Sequence, residues 1–134
     1  MPDPKVYVTA FFCERLLNEE GGVLSAIRMT DTWLFNAASA TSPNAVALVE
    51  TTFVVGLKCE TPKDAIVTIT GIQPDAEKFG SRDFPVKLSG GINGHAIVMP
   101  LLFQVKQFGM HWMEVSVDGV LTQRTPLLAK MVDQ

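Results

Sequence analysis

The residues able to do chemistry in this chain are few and scattered. His95 and His111 are the only histidines, and Cys13 and Cys59 are the only cysteines. Zinc needs three or four ligands, usually in close local pairs, and neither pair of residues has that spacing. A Cys–His nucleophile needs a base within reach and something to lower the thiol pKa, and nothing beside either cysteine does so. The expectation is a buried or half-buried sheet position for His111 and a loop edge for His95. Cys13 and Cys59 fall on apolar strand faces, where a thiol acts as a small hydrophobic group. Asp64, Asp75, Asp83 and Asp118 read as turn or solvated carboxylates. No EF-hand loop is present, so a calcium site would need loops gathered at one end of the fold. Gly90-Gly91-Ile92-Asn93-Gly94 lacks the lysine and hydroxyl of a phosphate cradle and precedes a strand, so it reads as a bend. G-x-S-x-G, H-E-x-x-H and paired C-x-x-C motifs are all missing. No catalytic, cofactor-binding or metal-ligating residue is assigned, and the expected class is non-enzymatic.

The elements around these residues read as strands and turns. The 134 residues suit one domain, expected over 1–134, and 47% are hydrophobic against 19% charged. Such a chain can build a core large enough to offset its conformational entropy. Alternation predicts strands over 5–13, 23–29, 49–59, 65–72, 83–88, 96–105, 110–117 and 120–128. In the first strand both faces read as at least partly covered, and 15–18 could instead form one helical turn. In 49–59, Phe53, Val55, Leu57 and Cys59 share the inner face, while Glu50 and Lys58 mark the ends of the solvent side. Pro85 and Pro100 point to edge strands or bulges. Asp118-Gly119 between two alternating runs predicts a closing β-hairpin. The result is an all-β chain: one antiparallel β-sandwich of about eight strands, immunoglobulin-like or jelly-roll-like.

Charge is distributed unevenly. Eighteen positions (32–49) and seventeen positions (89–105) hold no Asp, Glu, Lys or Arg. The first run contains Trp33-Leu34-Phe35 and then a loop of small uncharged residues; the second contains Leu101-Leu102-Phe103. With a mean hydropathy of +0.22, some of these six side chains are expected to remain reachable and to form an interface. Trp33 and Trp112 read as core or sheet-edge residues. The net charge of -3 and pI near 5.3 disfavour nucleic acid and anionic membranes. The start of the chain lacks the pattern of a secretory signal, and with two isolated cysteines this predicts a cytoplasmic protein with free thiols.

The segment Phe11-Phe12-Cys13-Glu14, then Gly21-Gly22-Val23-Leu24-Ser25-Ala26-Ile27, can be read together with the end of the chain. There Phe108-Gly109-Met110-His111-Trp112-Met113-Glu114-Val115-Ser116-Val117-Asp118-Gly119 precedes Thr125-Pro126-Leu127. Together these resemble a widespread bacterial family of small domains of unknown function. The resemblance implies a β-sandwich of bacterial or phage-related origin and supplies no catalytic residue. Three functional readings follow. The leading one is binding or assembly with protein partners, most simply as a two-fold homo-oligomer. The second is a small-ligand or carbohydrate-binding module using loops at one end. The third is a hydrolase built on Cys13, His95 or His111.

Overall fold

The computed structural model describes residues 5–18, 24–36, 47–91 and 94–132. The expected turn at 19–22, the small-residue loop at 37–46 and the centre of the 90–94 bend lie outside the described residues. Nine strands are present among the described residues, with no helix. They are β1 (Val6–Asn18), β2 (Leu24–Met29), β3 (Thr32–Asn36), β4 (Leu48–Cys59), β5 (Lys63–Ile72), β6 (Lys78–Leu88), β7 (Gly94–Gln104), β8 (Gly109–Val117) and β9 (Val120–Val132). Among the described residues there is accordingly no helix long and apolar enough to cross a membrane.

The strands form two open sheets, ordered β2-β1-β4-β7 and β3-β9-β8-β5-β6. Their inward residues make one core, with Phe53, Val55 and Leu57 of β4 meeting Val67, Ile69, Val115 and Leu127 of the other sheet. Each of these is nearly inaccessible, because alternation delivers every second side chain to the same layer. Pro85 on β6 and Pro100 on β7 fall on sheet edges, where a missing N–H is tolerated; Pro126 lies in β9 inside its sheet, at a row paired with β8 alone because β3 joins from Leu128 onward. Asp118 and Gly119 adopt φ of +50° and +82°, and β8 pairs antiparallel with β9 across them.

Three expectations change. Residues 15–18 stay extended, because β1 continues to Asn18 and pairs there with β2. The expected eight strands become nine among the described residues, because Thr32–Asn36 is a strand. That strand also breaks the antiparallel rule by running parallel to β9, from Thr32 opposite Leu128 to Asn36 opposite Val132. The chain changes sheets just before it: the Thr30 N–H donates to the Phe12 carbonyl at 3.3 Å, and the Leu128 N–H donates to the Asp31 carbonyl at 2.7 Å. Two consecutive residues thus bond to opposite sheets.

Candidate functional site

The structure keeps the titratable residues apart. His95 is exposed on β7 opposite Leu57. His111 is buried, its ring near Phe79 and Phe103, and Nδ1 lies 3.2 Å from the Gly109 carbonyl. Burial holds its pKa below the ordinary imidazole value, against the opposing effect of backbone bonds at Gly109 and Leu127. Cys13 and Cys59 are free and buried. They sit opposite Thr52 on β1 and at the end of β4 respectively, and seven residues of β4 separate their rows, about 23 Å. Burial raises the Cys13 thiol pKa, partly offset by a backbone hydrogen bond from Arg15. Among the described residues, no three His, Cys, Asp or Glu side chains converge as a metal-binding group.

The carboxylates hold local structure. Asp75 accepts from the Glu77 N–H at 3.0 Å and from Gln107 at 2.7 Å, which lowers its pKa. Asp118 accepts from the Ile66 N–H at 2.9 Å and pairs with Lys63 at 3.3 Å, with the same consequence. Asp83 accepts from the Thr68 hydroxyl at 2.7 Å. The tryptophans are engaged as well. Trp33 meets Phe12 edge-on, while the Arg124 guanidinium lies 4.2 Å from the centre of the Trp112 ring and bonds Glu114 at 3.0 Å.

The six candidate interface residues divide into two groups. Trp33, Phe35, Leu101 and Phe103 are half-buried and pack against the core. Phe35 contacts Phe108, and Phe103 stacks on Phe79 at 4.9 Å. Leu34 and Leu102 point to solvent, at 62% and 67% exposure. They lie on edge strands of different sheets, so the two triplets do not form one patch.

Leu102 belongs instead to a larger surface: the outer face of the four-stranded sheet. Across β1, β4 and β7 the register places Phe11, Val54 and Val98 in one row, and Cys13, Thr52 and Pro100 in the next. Thr9, Gly56 and Ala96 form a third row, in which a side chain on Gly56 would meet the Thr9 hydroxyl at 2.8 Å. Val54 and Cys13 are buried yet stand outside the inter-sheet core, so this face has apolar packing of its own. The solvent side expected for β4 is thus partly covered, because Phe11 and Val98 flank Val54 from both neighbouring strands. Val98 (45%), Leu102 and Met29 remain open to water. Glu50 and Lys58, both exposed, close the two ends of the β4 row. At one end a groove of about 700 Å³ runs between Glu14, Arg28, Glu50 and Leu102, with Glu14 and Arg28 paired at 3.3 Å. The other sheet presents the Glu114–Arg124 pair, Asp83 and Lys130 on its outer side. Both faces of β1 read as covered from sequence, which is the signal that pointed toward this surface.

No family model matches the chain, and no curated protein matches it. This accords with the resemblance to a family without an assigned function. Among solved structures, the chain is similar to the β-glucosidase of Listeria innocua, both in complex with isofagomine and in complex with glucose. The TM-score is 0.47 for each, at 8% and 9% identity respectively. The match covers 95% of this chain and 16% of the glucosidase, so the chain spans about a sixth of that protein's length.

Proposed function

We propose that this chain is a non-enzymatic binding or assembly module, an immunoglobulin-like β-sandwich that holds a protein partner on the outer face of its four-stranded sheet. The observation that carries this reading is the exposure of Val98 and Leu102 on a face whose central rows hold no charge. Exposed apolar surface bounded by polar residues is the usual mark of a contact site. The strand order supports the class. With β2 and β3 set aside, the first, second and fifth of the remaining strands share one sheet and the rest share the other, as in immunoglobulin-like sandwiches. Two free, buried thiols favour a reducing compartment such as the cytoplasm.

The test is site-specific photo-crosslinking in the native cell, with the reactive side chain at Val98 or, as comparison, at Thr68 or Ser116 on the outer face of the other sheet. The reading expects protein adducts from Val98 and not from the other two. Adducts from Thr68 or Ser116 alone, or from none of the three, would refute it.

A further inference from the structure

We infer that the occupant of this face is a second copy of the chain, stacked face to face about a two-fold axis that crosses β4 over Val54. The inference rests on the binding face proposed above and names its partner.

Charge placement selects the arrangement. Glu50 and Lys58 project from the same side of β4, at opposite ends, with Val54 midway between them. An axis across the strand at Val54 brings each Glu50 onto the partner's Lys58, twice over by symmetry. An axis along the strand would oppose Glu50 to Glu50 and Lys58 to Lys58, a like-charge arrangement that costs affinity. Of the neighbouring charges, Glu14 bonds Arg28 at 3.3 Å, the Lys5 ammonium lies 5.1 Å from the centre of the Tyr7 ring, and Arg15 is exposed beside the Glu50 end. Apolar burial favours stacking over edge pairing. Joining β7 edge to edge would lengthen the sheet and leave Val98 and Leu102 facing water, whereas stacking covers them.

The size fits a modest dimer. Three strands (β1, β4 and β7) at about 4.8 Å spacing and eight residues at about 3.3 Å give a face of roughly 14 by 26 Å, with β2 adjoining only at the Glu50 end. In plane this is about 370 Å², which the relief of the side chains raises to the low end of specific interfaces, below the ~800 Å² per partner of a standard one. Exposed ion pairs add little energy, so Glu50 and Lys58 choose the register while the apolar rows supply affinity.

Sedimentation and light scattering on the purified chain at micromolar concentration test this. The expected result is a concentration-dependent dimer that Val98→Asp converts to a monomer, with an unchanged circular dichroism spectrum. Glu50→Lys and Lys58→Glu should each weaken the homodimer by about tenfold. An equimolar mixture of the two should form a heterodimer, and the double variant should recover the homodimer. A dimer broken by Val98→Asp, but with no recovery in the mixture or the double variant, overturns the register. A dimer that Val98→Asp leaves intact overturns the inference together with the role of this face. A monomer at all concentrations, with crosslinks from Val98 to a different protein, overturns self-association and leaves the binding face standing.

Discussion

Gly71 and Gly80 lie opposite one another on β5 and β6, and adding a methyl group to each should have opposite effects. Gly71 is buried beneath the Phe79 ring, and a Cβ there would lie 2.4 Å from Phe79 Cζ and 2.6 Å from Cε2. At Gly80 a Cβ would meet nothing within 4 Å. Phe79 cannot yield without cost, because it joins the two sheets: it stacks on Phe103 at 4.9 Å and meets His111 edge-on at 6.1 Å. Overpacking costs about 1–3 kcal/mol, and each disturbed ring contact adds about 0.5–1.5 kcal/mol. Reduced freedom of the unfolded chain returns about 0.4–1 kcal/mol. Gly71→Ala should therefore destabilise the domain by about 2–4 kcal/mol, and Gly80→Ala should lie within about 1 kcal/mol of wild type. Urea or guanidinium unfolding measures both, provided the m-value is unchanged. In a Phe79→Leu background the cost of Gly71→Ala should shrink sharply, since the clash and the ring contacts share that side chain. An equal cost in both backgrounds, or equal effects at the two glycines, would refute the reasoning.

Gly119→Val, placed at φ of +82° in the last hairpin, should cost about 1–3 kcal/mol in the same unfolding assay. Two buried threonines should respond with opposite signs. The Thr51 hydroxyl donates to the Cys13 carbonyl at 3.0 Å, so Thr51→Val should cost about 1–2 kcal/mol, whereas the Thr125 hydroxyl is buried without a partner and Thr125→Val should be neutral or stabilising by up to about 1 kcal/mol. His111 titrates below its ordinary value when folded, so its contribution is fully present above about pH 6.5 and is lost as pH falls through the depressed folded pKa. Unfolding free energy followed from pH 8 to 5 (about 1.5 units to either side of the unperturbed imidazole value) should fall more for wild type than for His111→Leu.

Where pattern is local, the sequence determined the outcome by itself. Asp118-Gly119 made the closing hairpin because only certain residues accept two successive positive φ angles, and Pro85 and Pro100 marked edge strands because a missing N–H is tolerated where no neighbouring strand calls for it. The inner face of β4 followed from strict alternation. Much of the candidate site was not legible in this way. Alternation says which side chains share a face, but not which strands lie alongside, so it could not show Phe11 and Val98 flanking Val54 and turning a solvent side into an apolar one. Trp33-Leu34-Phe35 and Leu101-Leu102-Phe103 looked alike as uncharged triplets, yet in each the middle residue faces water while its neighbours pack against the core. The parallel pairing of β3 with β9 joins residues nearly a hundred positions apart, and no local propensity encodes it. Tertiary structure decided these points because lateral neighbours, brought together from distant parts of the chain, set which faces are covered and which remain open.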